Sequence, residues 1–268
     1  MTALTDPGFA QTKPPLGVGS IIGDSFSILF RKFLTVMVLS SGPLIIGLAI
    51  SGLLVGWQVT LNGEIDPASF TGGGFWAKWG VSMVVQMAIY GITTALLVQL
   101  AYDAKLDQSR SVGAYFGPAL RSAFPIAVLM IATMFLVFLG AIALLIGGLW
   151  VYAVFSVTTP AIVIERAGFR GMGRSATLTK EYRWPIIGAL ILVFLITIAL
   201  SLAMQFIVGL IVAPFGTSGV GVAISIIVKA LLQSVTLGLS SITAALIFAR
   251  LKEIKDGVSV DQLVSVFE

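Results

Sequence analysis

The sequence predicts an all-α integral membrane protein with six transmembrane helices. Of its 268 residues, 57% are hydrophobic and only 10% are charged, and the mean hydropathy is +1.04. A water-soluble domain carries much more charge than this. A helix needs about 20 apolar residues to cross a hydrocarbon core of ~30 Å. Segments of that length begin near six positions: Leu34, Gly80, Phe124, Leu145, Trp184 and Ala230.

The last four spans are predicted to form two hairpins. Residues 124–164 carry no charge, and they suffice for spans 3 and 4 if the chain turns tightly at Gly147-Gly148. Residues 184–249 hold spans 5 and 6 with about 25 residues to spare, counting about 20 residues per span. The surplus must therefore lengthen tilted helices or lie outside the membrane.

The domain boundaries follow from the ends of the apolar segments. Residues 1–16 are predicted to be a disordered tail, because they include polar residues and the pair Pro14-Pro15. No cleavable signal peptide is expected there, since no sustained apolar run begins in this stretch. Residues 17–255 are predicted to form a single membrane domain, followed by a cytoplasmic C-terminal tail over residues 256–268.

The basic residues predict the orientation, because cytoplasmic loops carry an excess of Lys and Arg. Of the sixteen basic residues, fourteen fall on one side of the predicted topology. The other two are Lys78, in a loop with Glu64 and Asp66, and Lys229. Both termini are therefore predicted to be cytoplasmic.

Three segments that lead into spans have an apolar face at helical spacing, which predicts amphipathic interfacial helices on the cytoplasmic side. They cover residues 21–33, 112–123 and 172–182. One hypothesis is three parallel repeats, each an interfacial helix followed by a two-span hairpin, over residues 17–101, 109–164 and 168–250. The alternative is that any multi-spanning protein has basic, amphipathic approaches to its spans.

Polar side chains form rows along spans 2, 5 and 6, where a polar group facing lipid is costly. The functional interpretation is a shared polar interior, either a permeation route or a pocket for a lipid headgroup. The alternative is helix packing, in which Ser and Thr hydrogen-bond across close helices. The rows are Ser82, Gln86, Tyr90 and Thr93 in span 2, Thr197, Ser201 and Gln205 in span 5, and Ser225, Lys229, Gln233, Thr236, Ser240 and Thr243 in span 6.

Lys229 is the one ionisable residue that a span could bury. If span 6 begins at Ala230, Lys229 is interfacial, and its ammonium reaches lipid phosphate or water. If span 6 begins near Gly219 and tilts, Lys229 lies deep and becomes a candidate for binding an anion. The other candidate contacts for lipid or anion are a neighbouring amide and basic residues that precede spans: Gln233, Arg31, Lys32, Arg121 and Arg183.

Glu165 follows span 4 at the C-terminal end of a helix, where the macrodipole disfavours a carboxylate. We expect Arg174 to form a bidentate ion pair with Glu165 if the chain folds back. This role is structural. A lone Glu without a second carboxylate, a His or metal ligands is a poor candidate for catalysis.

The composition also limits the function. The sequence contains no Cys and no His, which excludes thiol nucleophiles, imidazole acid–base catalysis and Cys/His zinc sites. We predict no catalytic residue, metal or cofactor, and no binding of nucleic acid, because no folded basic module is present. The predicted function is a non-enzymatic membrane protein that interacts with lipids, or an accessory or scaffold subunit of a membrane complex or homo-oligomer. The alternative is a small transporter or channel with a polar path between spans 2, 5 and 6.

The stretch Pro160–Glu165, with Arg174-Ser175, Leu178 and Lys180 after it, resembles a family of bacterial six-span membrane proteins of largely unknown function. The family includes the membrane domain attached to some glycerophosphodiester phosphodiesterases. The resemblance implies a multi-pass protein of the bacterial inner membrane and supplies no catalytic residue. The chain departs from the family pattern at Gly171-Met172-Gly173, where Ala and Leu are usual. Because the sequence stops at Glu268 without the soluble phosphodiesterase domain, we expect no hydrolytic activity of that kind.

Overall fold

The computed structural model describes residues 14–63, 65, 74–108, 110–143, 145–215 and 218–257, and these residues form helices and connections without a strand. Three short 3₁₀ turns cover Val112–Tyr115, Gly168–Arg170 and Ala213–Phe215. The α-helices are α1 (Val18–Arg31), α2 (Phe33–Val55), α3 (Trp57–Asn62), α4 (Gly74–Lys105), α5 (Phe116–Ala143), α6 (Leu145–Phe155), α7 (Thr158–Ile164), α8 (Gly171–Thr179), α9 (Arg183–Val212) and α10 (Gly219–Asp256).

Six helical segments are long and apolar enough to cross a membrane, which confirms the predicted class and number of spans. Hydrocarbon offers no partner for a backbone amide or carbonyl, and a helix satisfies both internally. Five of the segments are α2, α4, α5, α9 and α10. The sixth, Ile146–Ile164, joins α6 to α7.

The turn between spans 3 and 4 is not at Gly147-Gly148, where it was predicted. Gly147 and Gly148 lie inside α6, and the chain reverses between Ala143 and Leu145. Their role is close packing. A Cβ on Gly147 would lie 2.6 Å from the carbonyl oxygen of Gly140 in α5. The backbones of the two helices therefore touch, as small residues allow within membranes.

Helix length accounts for the surplus residues of the last hairpin. The helix α9 has 30 residues and α10 has 38, which corresponds to about 45 and 57 Å at 1.5 Å per residue. The segment from Gln205 to Val228, for which sequence reasoning left several alternatives, is helical over most of its described residues.

The densest packing lies at the end of the bundle where α1, α8 and the C-terminal turn of α10 meet, which we call the basic end. Here α4 is central, and its residues Ala95 to Val98 are fully buried. Leu239, Ile242 and Phe248 of α10 pack into the same core, together with Leu39 of α2. This half of the molecule has a close-packed protein interior.

The opposite end, which we call the far end, is more open. Four residues of α9 are buried, and all of them lie between Ile186 and Val193. The described side chains of α9 from Phe194 onward are half-buried or exposed. At this end α2 turns into α3 through Gly56, whose φ of 95° favours glycine. The ring of Trp57 then lies against Gly52, where a Cβ would meet it at 2.0 Å.

The folded region begins before residue 17. The carbonyl of Pro14 accepts a hydrogen bond from the Tyr182 hydroxyl at 3.0 Å, and the carbonyl of Pro15 accepts one from Arg250 at 3.3 Å. Leu16 is only 3% exposed. Residues 14–16 therefore belong to the bundle and not to the predicted tail, whose residues 1–13 lie outside the described part of the chain.

The three segments predicted to approach the membrane differ in form. The first is α1, separated from α2 by a break at Lys32, and it buries Ile21, Ile28 and Leu29 against the bundle. The second passes from the 3₁₀ turn Val112–Tyr115 directly into α5. The third is the nine-residue helix α8.

We expect Gly147→Ala to destabilise the fold, because the added methyl group collides with backbone of α5 that cannot rotate away. The expected loss is about 1–3 kcal/mol, seen as a lower Tm in thermal unfolding of the detergent-solubilised protein. Gly188→Ala is the matched control, since Gly188 lies in α9 with open space at its Cβ position. Equal Tm values for the two variants would contradict the close contact.

Candidate functional site: a polar cavity between the last two spans

A cavity of about 490 Å³ lies between the far-end halves of α9 and α10 and reaches α3. Its lining is mixed, with one cation, two amides, three hydroxyls and several apolar groups. Among the described residues that line it, none is acidic. They are Leu61 of α3, Ser201, Met204, Gln205, Val208 and Gly209 of α9, and Ser225, Lys229, Leu232, Gln233 and Thr236 of α10.

Helical periodicity brings these polar groups together. Residues spaced by three or four lie on one face of a helix, so the polar row of α10 points in one direction from Ser225 to Thr236. Ser201 and Gln205 stand four apart on α9 and face that row across the cavity. Parts of two of the three rows found in the sequence therefore converge, whereas Thr197, Ser240 and Thr243 do not line the cavity.

Lys229 is held by backbone oxygens of α3. Its Nζ donates to the carbonyl of Thr60 at 3.1 Å and to the carbonyl of Leu61 at 2.7 Å. Both carbonyls lie in the last turn of α3, where helix carbonyls lack internal partners and carry partial negative charge. An ammonium has three N–H donors, so one remains for another acceptor.

Each of the two alternatives for the depth of Lys229 has one observation in its favour. The helix α10 does begin at Gly219, as the deep alternative required. However, Lys229 precedes Arg250 by 21 residues, or about 32 Å of helix, which is close to the thickness of the hydrocarbon core. It also contacts α3, which follows the far end of α2. Lys229 and Arg250 are therefore separated by about one hydrocarbon thickness along α10.

The third polar row packs against neighbouring helices and does not line the cavity. The hydroxyl of Ser82 in α4 is 2.7 Å from that of Ser51 in α2. The amide of Gln86 lies over Gly47, where a Cβ would be 2.7 Å from its oxygen. One residue of the α10 row also packs in this way: at the basic end, the Thr243 hydroxyl donates to Ser25 of α1 at 3.0 Å. These residues fit the packing interpretation.

The remaining candidate lipid contacts are far from the cavity, at the basic end. The guanidinium of Arg31 donates to the carbonyl of Ala104 at 2.9 Å. Lys32 stands at the break between α1 and α2, and Arg121 is exposed on α5. The guanidinium of Arg183 lies 5.3 Å from the centroid of the Trp150 ring. Of the six candidates, only Lys229 and Gln233 share a site.

Glu165 and Arg174 meet in a bidentate ion pair. Nε of Arg174 is 2.7 Å from Oε2 of Glu165, and Nη2 is 2.9 Å from Oε1. Arg174 also donates to Asp256, and Lys252 lies 3.3 Å from Glu165. The cluster ties the end of α7 to α8 and to the last turns of α10.

Opposing effects set the pKa of Glu165. Burial alone would raise the pKa of this carboxyl, but hydrogen bonds and positive charge from Arg174 and Lys252 outweigh burial and lower it. The hydrogen bond to Glu165 in turn raises the pKa of Arg174. Glu165 is thus ionised at neutral pH, and the cluster can stabilise the basic end.

The cavity contains features that sequence reasoning did not find. The acceptors for Lys229 are backbone atoms of Thr60 and Leu61, and no side-chain pattern marks them. Met204 and Leu232 are apolar residues that face the cavity instead of lipid. In the described part of the chain, no group of three or more Asp, Glu, His or Cys residues could hold a metal ion.

Comparison with known proteins gives no match: no protein-family model, curated protein or solved structure is significantly similar to this chain. Any functional conclusion must therefore come from the cavity and its surroundings.

The pH dependence of stability provides a test of the Glu165 cluster. Glu165→Gln removes the carboxylate, so we expect a loss of about 2 kcal/mol at pH 7. Because the folded pKa is lowered, the contribution of Glu165 is present above the ordinary value of 4.5 and is lost as the pH falls below it. The Tm difference between wild type and Glu165→Gln should therefore shrink in acid.

The control is Glu253→Gln, which breaks only the i,i+3 pair with Arg250 on α10. Such pairs contribute about 0.2–0.5 kcal/mol, so this variant should unfold close to the wild type. A Tm difference for Glu165→Gln that stays constant down to pH 3 would show that the carboxylate charge does not matter.

Proposed function

We propose that this protein is a non-enzymatic membrane protein that binds a lipid molecule in the cavity between α9 and α10. The observation that carries the proposal is the mixed lining of the cavity, in which a single cation and neutral polar groups adjoin apolar side chains. A lipid has the matching division into a polar headgroup and apolar chains. Ligand cavities commonly have volumes of about 300–1,000 Å³, and this one falls within that range.

The surroundings of the cavity support a lipid more than a small soluble ligand. Leu202 and Phe206 of α9 are 68% and 70% exposed, and Ile227 and Leu231 of α10 are also exposed. In a membrane these side chains face lipid. Acyl chains can therefore run along the outer surfaces of α9 and α10 while a headgroup occupies the polar cavity.

A transporter or channel remains the second candidate. The extension of the cavity to Lys229 favours it, because a polar path would have to pass this residue. The packing below the cavity does not, since Leu239 and Ile242 are fully buried in the core that follows Thr236. Transport would thus require the basic end to open, whereas lipid binding requires no such change. A role as a scaffold subunit would instead use the exposed far ends of α9 and α10.

The proposal also includes the position of the protein in a membrane. We infer that the basic end faces the cytoplasm, since positively charged loops stay on that side. On this view α1 and α8 lie along the cytoplasmic surface as interfacial helices, and the cavity opens at the outer leaflet. The resemblance to bacterial inner-membrane proteins and the three-repeat organisation both stay predictions.

A reporter fused after Glu268 tests the orientation. We expect green fluorescent protein at this position to fluoresce and alkaline phosphatase to be inactive, because the C-terminus follows the basic end. The same two reporters inserted within residues 66–73, between α3 and α4 in the sequence, serve as the control. There we expect active phosphatase and no fluorescence. Active phosphatase at the C-terminus would contradict the orientation and would place the cavity at the inner leaflet.

Filling the cavity tests lipid binding. Ser201→Trp places an indole in the space that a headgroup would occupy, so we expect gently extracted protein to lose bound lipid in native mass spectrometry by roughly tenfold. Phe135→Trp is the matched control, because Phe135 is exposed on α5 and does not line the cavity. Equal lipid retention by the two variants would contradict lipid binding in this cavity.

A further inference from the structure

We propose that the cavity selects an anionic phospholipid whose headgroup carries hydroxyl groups and no amine. The inference rests on the proposed lipid binding and names the chemical class of the ligand. In it, the lipid phosphate accepts a hydrogen bond from Nζ of Lys229, and the headgroup hydroxyls contact the polar side chains around it.

The balance of charge favours an anion. Lys229 is the one cation among the described residues that line the cavity, and none of the lining residues is acidic. Its present partners, the carbonyls of Thr60 and Leu61, are neutral. These partners leave the positive charge of Lys229 uncompensated, and a phosphate in the cavity would compensate it.

The donors suit a phosphate. The third N–H of Lys229 is available while the two bonds to α3 stay intact. The amide groups of Gln205 and Gln233 line the same cavity, and each has two N–H donors. A phosphodiester carries one negative charge shared by two oxygens, and these accept stronger hydrogen bonds than neutral acceptors do.

The hydroxyl groups of the cavity suit a hydroxylated headgroup. The Ser225 hydroxyl donates to the carbonyl of Gly221 at 2.8 Å, and the Thr236 hydroxyl donates to the carbonyl of Gln233 at 3.1 Å. With their protons engaged, these oxygens offer lone pairs as acceptors. A headgroup hydroxyl can donate to them, whereas an ammonium would find no carboxylate among the described lining residues and would meet the charge of Lys229.

The level of Lys229 suits a lipid in a bilayer. Lys229 contacts α3 beyond the far end of α2, near the boundary of the hydrocarbon, where lipid phosphates lie. The apolar residues Met204, Val208 and Leu232 line the same cavity and can contact the first carbons of the acyl chains. A soluble phosphate ester would leave these contacts unused.

The test compares lipids that differ only in the headgroup. Full-length protein is delipidated, then mixed with equimolar phosphatidylglycerol and phosphatidylethanolamine of identical acyl chains, and the bound lipids are counted by native mass spectrometry. We expect the wild type to prefer phosphatidylglycerol by roughly tenfold, because both lipids offer the same phosphate but the ammonium of phosphatidylethanolamine would lie near the positive charge of Lys229. Glycerol 3-phosphate is added separately as the soluble phosphate ester.

Three variants assign the preference to the cavity. Lys229→Gln should reduce the preference to near unity, because it removes the charge that disfavours an ammonium. Gln205→Leu should reduce it partly, because the Gln205 amide oxygen can also accept from a headgroup hydroxyl. Lys78→Gln is the matched control, because it removes an exposed lysine near the far end that does not line the cavity. It should keep the wild-type preference.

Gln205→Leu keeps the test decisive if Lys229→Gln disturbs α3. Gln205 lies on α9 and takes no part in the two carbonyl bonds of Lys229. Hydrogen exchange of the α3 amides shows whether that helix is intact in each variant. A reduced preference in Gln205→Leu with slow exchange in α3 supports the proposal, and an unchanged preference in both cavity variants overturns it.

The outcomes separate this inference from the function on which it rests. If the wild type retains lipid that Ser201→Trp loses, but binds both headgroups equally, the cavity binds lipid and the headgroup selectivity is wrong. If the wild type and Ser201→Trp retain the same lipid, the proposed function itself fails. Displacement of phosphatidylglycerol by an equal concentration of glycerol 3-phosphate would overturn the assignment to a lipid.

Discussion

The structure depends on one constraint, which is that each backbone polar group within the hydrocarbon must be satisfied by the protein itself. Helices meet this constraint along their length and fail at their last carbonyls. At two helix ends a cationic side chain supplies the missing donor. Arg31 donates to the carbonyl of Ala104 at the end of α4, and Lys229 donates to the carbonyls of Thr60 and Leu61 at the end of α3. Two cations of the described chain therefore supply donors to carbonyls at helix ends.

The two ends of the bundle are packed differently. The basic end is closed by a core centred on α4 and by the cluster of Glu165, Arg174, Lys252 and Asp256. At the far end the described side chains of α9 are half-buried or exposed, and a cavity remains between α9 and α10. A closed end and an open polar end suit a protein that holds a ligand from one leaflet. They suit a continuous path across the membrane less well.

Polar residues inside the spans do not have one meaning. Ser82 bonds with Ser51, and Thr243 bonds with Ser25, so these hydroxyls join helices that already pack closely. Gln205, Lys229 and Gln233 have the same spacing along their helices but face a cavity. The difference is the distance to the next helix, which spacing within one helix cannot report. Glycine has the same ambiguity, because the sequence predicts a turn at Gly147, whereas in the structure Gly147 allows two helix backbones to touch.

The sequence by itself determined the class, the number of spans and the separation of basic residues from the other end, because these depend on composition and on runs of about 20 apolar residues. It also indicated the pairing of Glu165 with Arg174, since a carboxylate at the C-terminal end of a helix favours a cationic partner and Arg174 is close along the chain. Only the tertiary structure decided which polar rows converge, that Lys229 contacts α3, and where α5 turns into α6. Each of these depends on how helices distant in sequence lie against one another, and the acceptors for Lys229 are backbone atoms, which every residue has and no sequence pattern distinguishes.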